Sequence, residues 1–343
     1  MRSSVHLLAT VSGLLAAATL GFAAARPAAG QSYTLTDLGS LPAYNRYWGD
    51  AINATGQAAV SSAIESPTGL STPGHALLYN GAGLVDLGVF KPAGANQASA
   101  AAINNGGWVV GTATSGSKLV TALWRNGQIV QVAPNVAVPE YGINNAASPQ
   151  ITGSYHPRPG QGCAFLWQNG TLTNLPFGEG HAINDSGKIA GRNNDNACVW
   201  TKSGGLVNLP TLVSGAVTDA LAINNSGIVT GHSHDSLGRY HAVYWDAAGA
   251  IHDMGLLGGA ETKAYGINGL GTIVGQFFGS PGGAFRWDPL GGYVDLNSLI
   301  EHAAYPGWFI SAANGINDNG QIVGIGYVNG DNHEHAFILT PIP

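Results

Sequence analysis

The side chains of this sequence that could do chemistry are few and fall into three sets. The first is rich in histidine. The segment GHSHDSLGRYH holds His232, His234, Asp235 and His241, and DNHEH holds His333, Glu334 and His335. Alternate residues of a strand share a face, so His232 with His234, or His333 with His335, could co-ligate a zinc ion. His241 and His335 also belong to a repeated column, described below, that needs no metal to explain it. No metal or other cofactor is expected. The two cysteines, Cys163 and Cys198, stand in no CxxC or metal-like spacing.

The second set lies in two long connecting segments, SLPAYNRYWGD (40–50) and NSLIEHAAYPGWFISAAN (297–314). They supply Tyr44, Arg46, Tyr47, Trp48, Asp50, Glu301, His302, Tyr305 and Trp308. Aromatic rings beside carboxylates and an arginine suit a sugar or peptide ligand. The competing reading is that these rings pack the long segments down onto the fold. Asp50 with Glu301 is the sole carboxylate pair that can be argued into one neighbourhood, and glycoside hydrolysis needs two carboxylates roughly 5–10 Å apart. The third set precedes a recurring Ala/Gly-Ile: Asp50, Tyr141, His181, Tyr265 and Asn314, with Glu140 and Lys263 nearby. It is a mixed polar set in which spacing fixes no acid–base pair, so no residue is assigned as catalytic.

What positions these groups is a repeat. The phrase AINNSGIVTG (222–231) has near-copies anchored on Ile52, Ile103, Ile143, Ile183, Ile223, Ile267 and Ile316, at intervals of 51, 40, 40, 40, 44 and 49 residues. That period belongs to propeller blades or helical arrays, and 51 glycines without a long 3.6-residue pattern exclude the arrays. Each unit reads as four short antiparallel strands: one ending in Ile-Asn, one like GIVTG, one like HAVYW or CAFLW, and one like GLVDLG. Asn followed three residues later by Gly supplies the tight turn between the first two strands, which explains both columns as turn chemistry.

The ends of the repeat complement each other. YTLTDLG (33–39) is a fourth strand with no first three before it, and HAFILTP (335–341) is a third strand with none after it. The expected fold is therefore all-β, a seven-bladed β-propeller of four-stranded antiparallel blades over 31–343. The N-terminal strand completes the last blade and leaves no open edge. The residue before each Ile is Ala or Gly, as crowding of seven inner strands at the axis requires. On the third strand a small column (Ala76, Thr121, Ala164, Ala197, Ala242, Ala284, Ala336) should face a bulky one (Tyr79, Trp124, Trp167, Trp200, Trp245, Trp287, Leu339) across the inter-blade space. Cys163 and Cys198 fall on one parity of successive third strands, toward successive inter-blade spaces, so a disulfide is not expected. The long connections emerge at one end of the ring, giving a decorated face opposite a plain one. SSAIESPTGLSTPG (61–74) and GYVNGDNHEH (326–335) flank the second set there.

Composition narrows the function. Asp, Glu, Lys and Arg make up 9% of residues, against a usual ~25%. The net charge of −6 with no basic run speaks against nucleic acid, whose binding rests on Lys and Arg contacts to phosphate. At the N-terminus, Arg2 precedes an uncharged run from Leu7 to Ala25 and then small residues, the pattern of a secretory signal peptide over 1–30. An uncleaved anchor is the alternative, and no later stretch reaches the ~18 apolar residues of a membrane span.

The HAF-type strand, the Ile-Asn-x-x-Gly turn and the Asp-Leu-Gly ending together resemble the bacterial extracellular repeat proteins named for the His-Ala-Phe motif. The full triplet stands at His335-Ala336-Phe337, with His75-Ala76-Leu77 and His241-Ala242-Val243 as close variants, while Cys163 and Gly283 replace the His elsewhere. The resemblance covers about 31–343. It implies a secreted repeat protein and brings no catalytic residues with it. The expected function is a non-catalytic binding module or scaffold, monomeric, whose variable loops take an extracellular glycan or protein ligand. The alternative is an extracellular propeller-type polysaccharide hydrolase or lyase, and a purely structural envelope or matrix protein is a third reading.

Overall fold

The structure, a computed structural model, describes residues 31–343 apart from 67, 91–96, 137–138 and 159–160. The segment read as a signal peptide lies outside the described residues. The 28 described strands form seven four-stranded antiparallel sheets. Blade 1 is built from Arg46–Ile52, Ala58–Glu65, Ser71–Tyr79 and Leu84–Asp86. The inner strands of blades 2 to 7 are Ala98–Ile103, Gly142–Ile143, Glu179–Ile183, Thr218–Ile223, Glu261–Ile267 and Trp308–Ile316, each ending on the repeated Ile. In blade 7 the strand Tyr33–Asp37 pairs with His335–Pro341, from Tyr33↔Pro341 to Asp37↔Phe337. The seven-bladed propeller closed by its N-terminal strand is thus the observed architecture.

The packing columns follow the pattern of the repeat. All seven small third-strand residues are buried. Trp124, Trp167 and Trp245 are buried, and Trp200 and Trp287 are half-buried against their neighbours. The indole N–H groups of Trp124 and Trp245 donate to Gly88 O (3.1 Å) and Pro210 O (2.8 Å) at the outer edge of the preceding blade. At the axis, a Cβ added to Gly142 would stand 2.8 Å from the backbone of the next inner strand, at Ala182 and Ile183.

Turn chemistry alone does not account for the Asn column, and here the sequence reading needs correction. Asn184 Oδ1 does accept the turn N–H groups of Ser186 (3.2 Å) and Lys188 (3.0 Å). Its Nδ2, however, donates across to the backbone carbonyl of Asn224 in the next blade. The same bond runs Asn53→Asn104→Asn144→Asn184→Asn224→Asn268→Asn317→Asn53, at 2.9–3.3 Å. A closed circle of seven bonds clamps the plain face, and none of these asparagines is more than 5% exposed. The seven Ile side chains lie just inside it, lining a funnel of about 260 Å³ with the Asn ring.

A second regularity was not visible in the sequence. Six inner strands carry a β-bulge at one place, where Asp50, Ala101, His181, Leu221, Tyr265 and Asn314 are the extra residues. Tyr141 holds the matching place in blade 3, whose inner strand is short; Pro139 just before it has no N–H to give a ladder. The bulge pushes a carbonyl onto the second strand. A Cβ added to Gly111, Gly191, Gly231, Gly275 or Gly324 would lie 1.9–2.0 Å from the carbonyl oxygen two residues before the bulge. The last Gly of the repeated phrase is therefore fixed by this close approach.

Candidate functional site

A bulge re-aims side chains. Here it brings the extra residue, and the residue two before it, together at the end of the ring away from the tight turns. In blades 4, 5 and 6 the second of these places holds Glu179, Asp219 and Lys263, which face Arg192, His232 and Gln276 across their ladders. The centre of the resulting network is His181, 4% exposed. Its Nε2 lies 2.7 Å from Glu140 and 3.3 Å from Glu179. Its Nδ1–H points to the Ala220 carbonyl at 3.1 Å, with Asp219 Oδ1 equally near but off the hydrogen-bond direction. Arg192 donates to Glu179 at 2.8 Å and lies 3.8 Å from Asp219. Residues from blades 4 and 5 and from the segment entering blade 3 are thus tied together.

The electrostatics follow from these contacts. Burial opposes a charge on His181, but Asp219, Glu140 and Glu179 outweigh it and hold the imidazole pKa well above its ordinary value. The hydrogen bond from His181 leads the effects that draw Glu179 down to about 2. Burial pulls His232 down to about 4, so that ring is neutral, and its Nδ1 is buried without a hydrogen bond. Burial also lowers Lys263.

Asp50, in the bulge of blade 1, has the opposite surroundings. Burial pushes its pKa up to about 8, and Ser61 offsets this only in part. Ser61 Oγ stands 2.7 Å from Asp50 Oδ2 and 3.1 Å from both the carbonyl and the N–H of Ala100. One hydroxyl proton cannot serve two acceptors. A protonated Asp50 that donates to Ser61 leaves the Ser61 proton for Ala100 O and satisfies every group. Of the other residues placed near the axis by the sequence, Tyr141 is buried with its hydroxyl 3.4 Å from Thr121. Tyr265 bonds Gln276 at 3.3 Å and is pushed up to about 12 by burial. Asn314 donates to Gly49 O at 2.9 Å, joining blade 7 to blade 1.

The aromatic set at the seam of blades 1 and 7 is largely structural. Tyr47 is a correction: it is 3% exposed, its hydroxyl accepts from Leu41 N (2.8 Å), and the carbonyls of Leu41 and Tyr44 lie 2.9 Å away. It fastens its own loop and has no free face for a ligand. Arg46 forks onto Glu334 and reaches Glu65 at 3.1 Å. Its guanidinium is 5.9 Å from the Trp48 ring centroid. Tyr44 packs against His75 at 5.6 Å. Tyr305 and Trp308 pack on the blade 7 core, with Trp308 edge-on to His335 at 5.6 Å. Glu301 and His302 are exposed, and His302 bonds the Asn297 carbonyl at 3.0 Å. Among the described residues no hydrogen bond, ion pair or ring contact joins Tyr44–Asp50 to Glu301–Trp308.

The histidines of the repeat have a partner the sequence did not reveal. His75, His241 and His335 bond Asp86 (2.8 Å), Asp253 (3.0 Å) and Asp37 (3.1 Å) of their own outer strands. Each of these Asp also accepts the N–H of the Gly two residues on, at 2.7–2.9 Å. The third-strand His and the Asp-Leu-Gly ending are thus one structural unit. Among the described residues no group of three or more His, Cys, Asp and Glu is arranged to hold a metal ion. Cys163 and Cys198 are free thiols.

The architecture has relatives among solved structures. The chain is similar to virginiamycin B lyase from Staphylococcus aureus, at 14% identity and a TM-score of 0.54 over 90% of this chain and 100% of that one. A streptogramin B lyase structure gives 14% identity and a TM-score of 0.53, covering 91% and 98%. The extracellular domain of a protein assigned as a hybrid two-component system from B. thetaiotaomicron gives 10% and 0.54, covering 89% of this chain and 39% of that one. At such identities the likeness is one of fold. No protein-family model matches the sequence, and no curated protein does.

Proposed function

We propose that this chain is an exported, non-catalytic binding module whose ligand site is the end of the ring that carries the His181 network. The observation behind this reading is that the charges there are committed to one another. His181 is held protonated by three carboxylates and cannot serve as a base near neutrality. Glu179 and Asp219 are ionised and locked to His181 and Arg192. Groups fixed in this way present donors and acceptors in a set geometry, which favours recognition over proton transfer. A glycan and polysaccharide screen tests the reading, with reducing-sugar and unsaturated-product assays run alongside. Binding without product release is expected, and His181→Gln, which unties three carboxylates, should weaken it at least tenfold. Binding that survives this change would remove the site.

A second reading, an extracellular hydrolase or lyase, is favoured by Asp50 alone. A carboxyl that stays protonated at neutral pH is suited to act as a general acid. Product release that disappears in Asp50→Asn would establish this reading in place of the first.

A further inference from the structure

One cation at this end of the ring makes no direct ion pair with the network. Lys263 occupies in blade 6 the register place that Glu179 and Asp219 hold in blades 4 and 5, and the residue across the ladder from it is Gln276. Among the described residues no carboxylate oxygen lies within 4.0 Å of its Nζ. The acids nearest in effect are Asp219, Glu261 and Glu140. Asp219 and Glu140 are engaged with His181, and Glu261 accepts the Tyr240 N–H at 3.2 Å.

The ammonium rests on an aromatic shelf instead. Nζ is 3.7 Å from the ring centroid of Tyr240 and 5.8 Å from that of Phe278. His232 and His234 brace Tyr240 edge-on at 5.1 and 4.5 Å. Phe278 is 40% exposed. A half-buried ammonium has given up water without gaining a counter-ion, and ring quadrupoles replace only part of that loss. A carboxylate arriving from solution would supply the missing partner. Tyr240 sits beneath the ammonium, and the exposed Phe278 ring beside it can stack on the apolar face of a pyranose. Glu140, whose side chain is 45% exposed, offers an acceptor for sugar hydroxyls on the far side of His181.

We infer that Lys263 and the Tyr240–Phe278 shelf form the subsite for the carboxylate of an acidic sugar, so that the ligand is a uronic-acid polysaccharide. This rests on the binding reading above and deepens it by naming the ligand class.

Polygalacturonate, alginate and fully methyl-esterified polygalacturonate are the probes, titrated calorimetrically into wild-type protein, Lys263→Gln and Lys263→Arg. Melting curves confirm that each variant folds. At least one acidic polymer should bind, with affinity falling as salt rises. The ester, which keeps the backbone and hides the carboxylate, should bind at least tenfold more weakly. Lys263→Gln should lose at least tenfold on the acidic polymer, and Lys263→Arg should retain most of the affinity. Equal affinity for ester and acid, undiminished binding by Lys263→Gln, or no binding of either acidic polymer would overturn the inference. A neutral glycan that binds wild type and is lost in His181→Gln would leave the binding site standing and remove only the acidic-sugar assignment.

Discussion

His181 and Asp50 stand at the same bulge place in blades 4 and 1, and their neighbours drive them to opposite states. Three carboxylates gather on His181 and keep it charged, whereas Asp50 meets one serine and stays protonated. The linkage signs follow. The pKa of folded His181 is raised, so its contribution to stability is full below the unfolded value of ~6.5 and is lost as pH rises through the folded one. Asp50 is also raised, from 3.8 to about 8, so the folded state loses stability between those values as pH rises. Asp50→Asn should therefore remove a slope of destabilisation and raise the urea midpoint at pH 8 more than at pH 4. His181→Gln should lower the midpoint at neutral pH and flatten the alkaline fall. An unchanged pH profile in either variant would contradict these protonation states. The sequence showed these residues as a column, though not as a bulge, because Asp50, Tyr141, His181, Tyr265 and Asn314 precede a recognisable Ala/Gly-Ile. It did not show Glu179, Asp219 or Arg192, which join them only because an extra residue breaks the strict alternation of a strand. The signal that could have led there was the Gly ending GIVTG, which has no role in a regular ladder.

At the scale of the strand, the closing element is held by the same pair that marks the repeat. Tyr33–Asp37 contributes Asp37, and His335 on the neighbouring strand bonds it at 3.1 Å while also meeting Asp331 at 3.2 Å. The bond to Asp37 heads the effects that raise His335; burial is the largest effect on Asp37, but the hydrogen bonds from His335 and the Gly39 N–H, with the charge of His335, together outweigh it and lower Asp37. The pair thus contributes fully in a window above the unfolded Asp value of ~3.9 and below the unfolded His value of ~6.5. It fades as pH falls through the lowered Asp37 pKa or rises through the raised His335 pKa. Amide hydrogen exchange of residues 33–37 should be slowest inside this window, and Asp37→Asn should weaken the dependence, leaving only the part carried by His335 with Asp331. Exchange in this strand that ignores both pH and the substitution would show that backbone pairing alone closes the ring. The closure itself was legible, because incomplete first and last units are plain in a string of letters. The His–Asp bond was less so, since its partners lie 298 residues apart in blade 7 and 11 apart in blade 1.

For the whole molecule, the two ends of the axis are built for different tasks. The plain end is the Asn circle over a collar of isoleucine, regular all the way round; the other end is irregular, with one group of charges over blades 3 to 6 and another, around Arg46 and Glu334, at the seam. The circle makes a testable claim about cooperativity. Asn184→Asp keeps the turn acceptor and loses the Nδ2 donor, leaving the Asn224 carbonyl with the Gly227 N–H (3.0 Å) as its partner. A cost of about 0.5–1.5 kcal/mol is expected for the lost hydrogen bond, with one unfolding transition retained because each blade leans on both neighbours. A second transition in calorimetry would mean that the blades melt separately. The count of blades, their order and the plain-versus-decorated division were all readable from period and turn residues. The sequence offered both the seam set and the set before Ala/Gly-Ile, and could not show that the long seam loops spend their aromatic rings on packing, Tyr47 most completely.

Ile342 N–H donates to the Ser32 carbonyl at 3.0 Å. The two ends of the described chain therefore meet on the outer rim of blade 7. A peptide link between them would turn the backbone into a loop without termini, and a cut in any long connection at the decorated end would leave every sheet whole. The fold is in this sense indifferent to its own starting point, so that circularly permuted versions preserve all seven blades. Loss of a single sequence repeat has the opposite effect. It deletes all four strands of one blade, and with them one link of the seven-bond Asn circle.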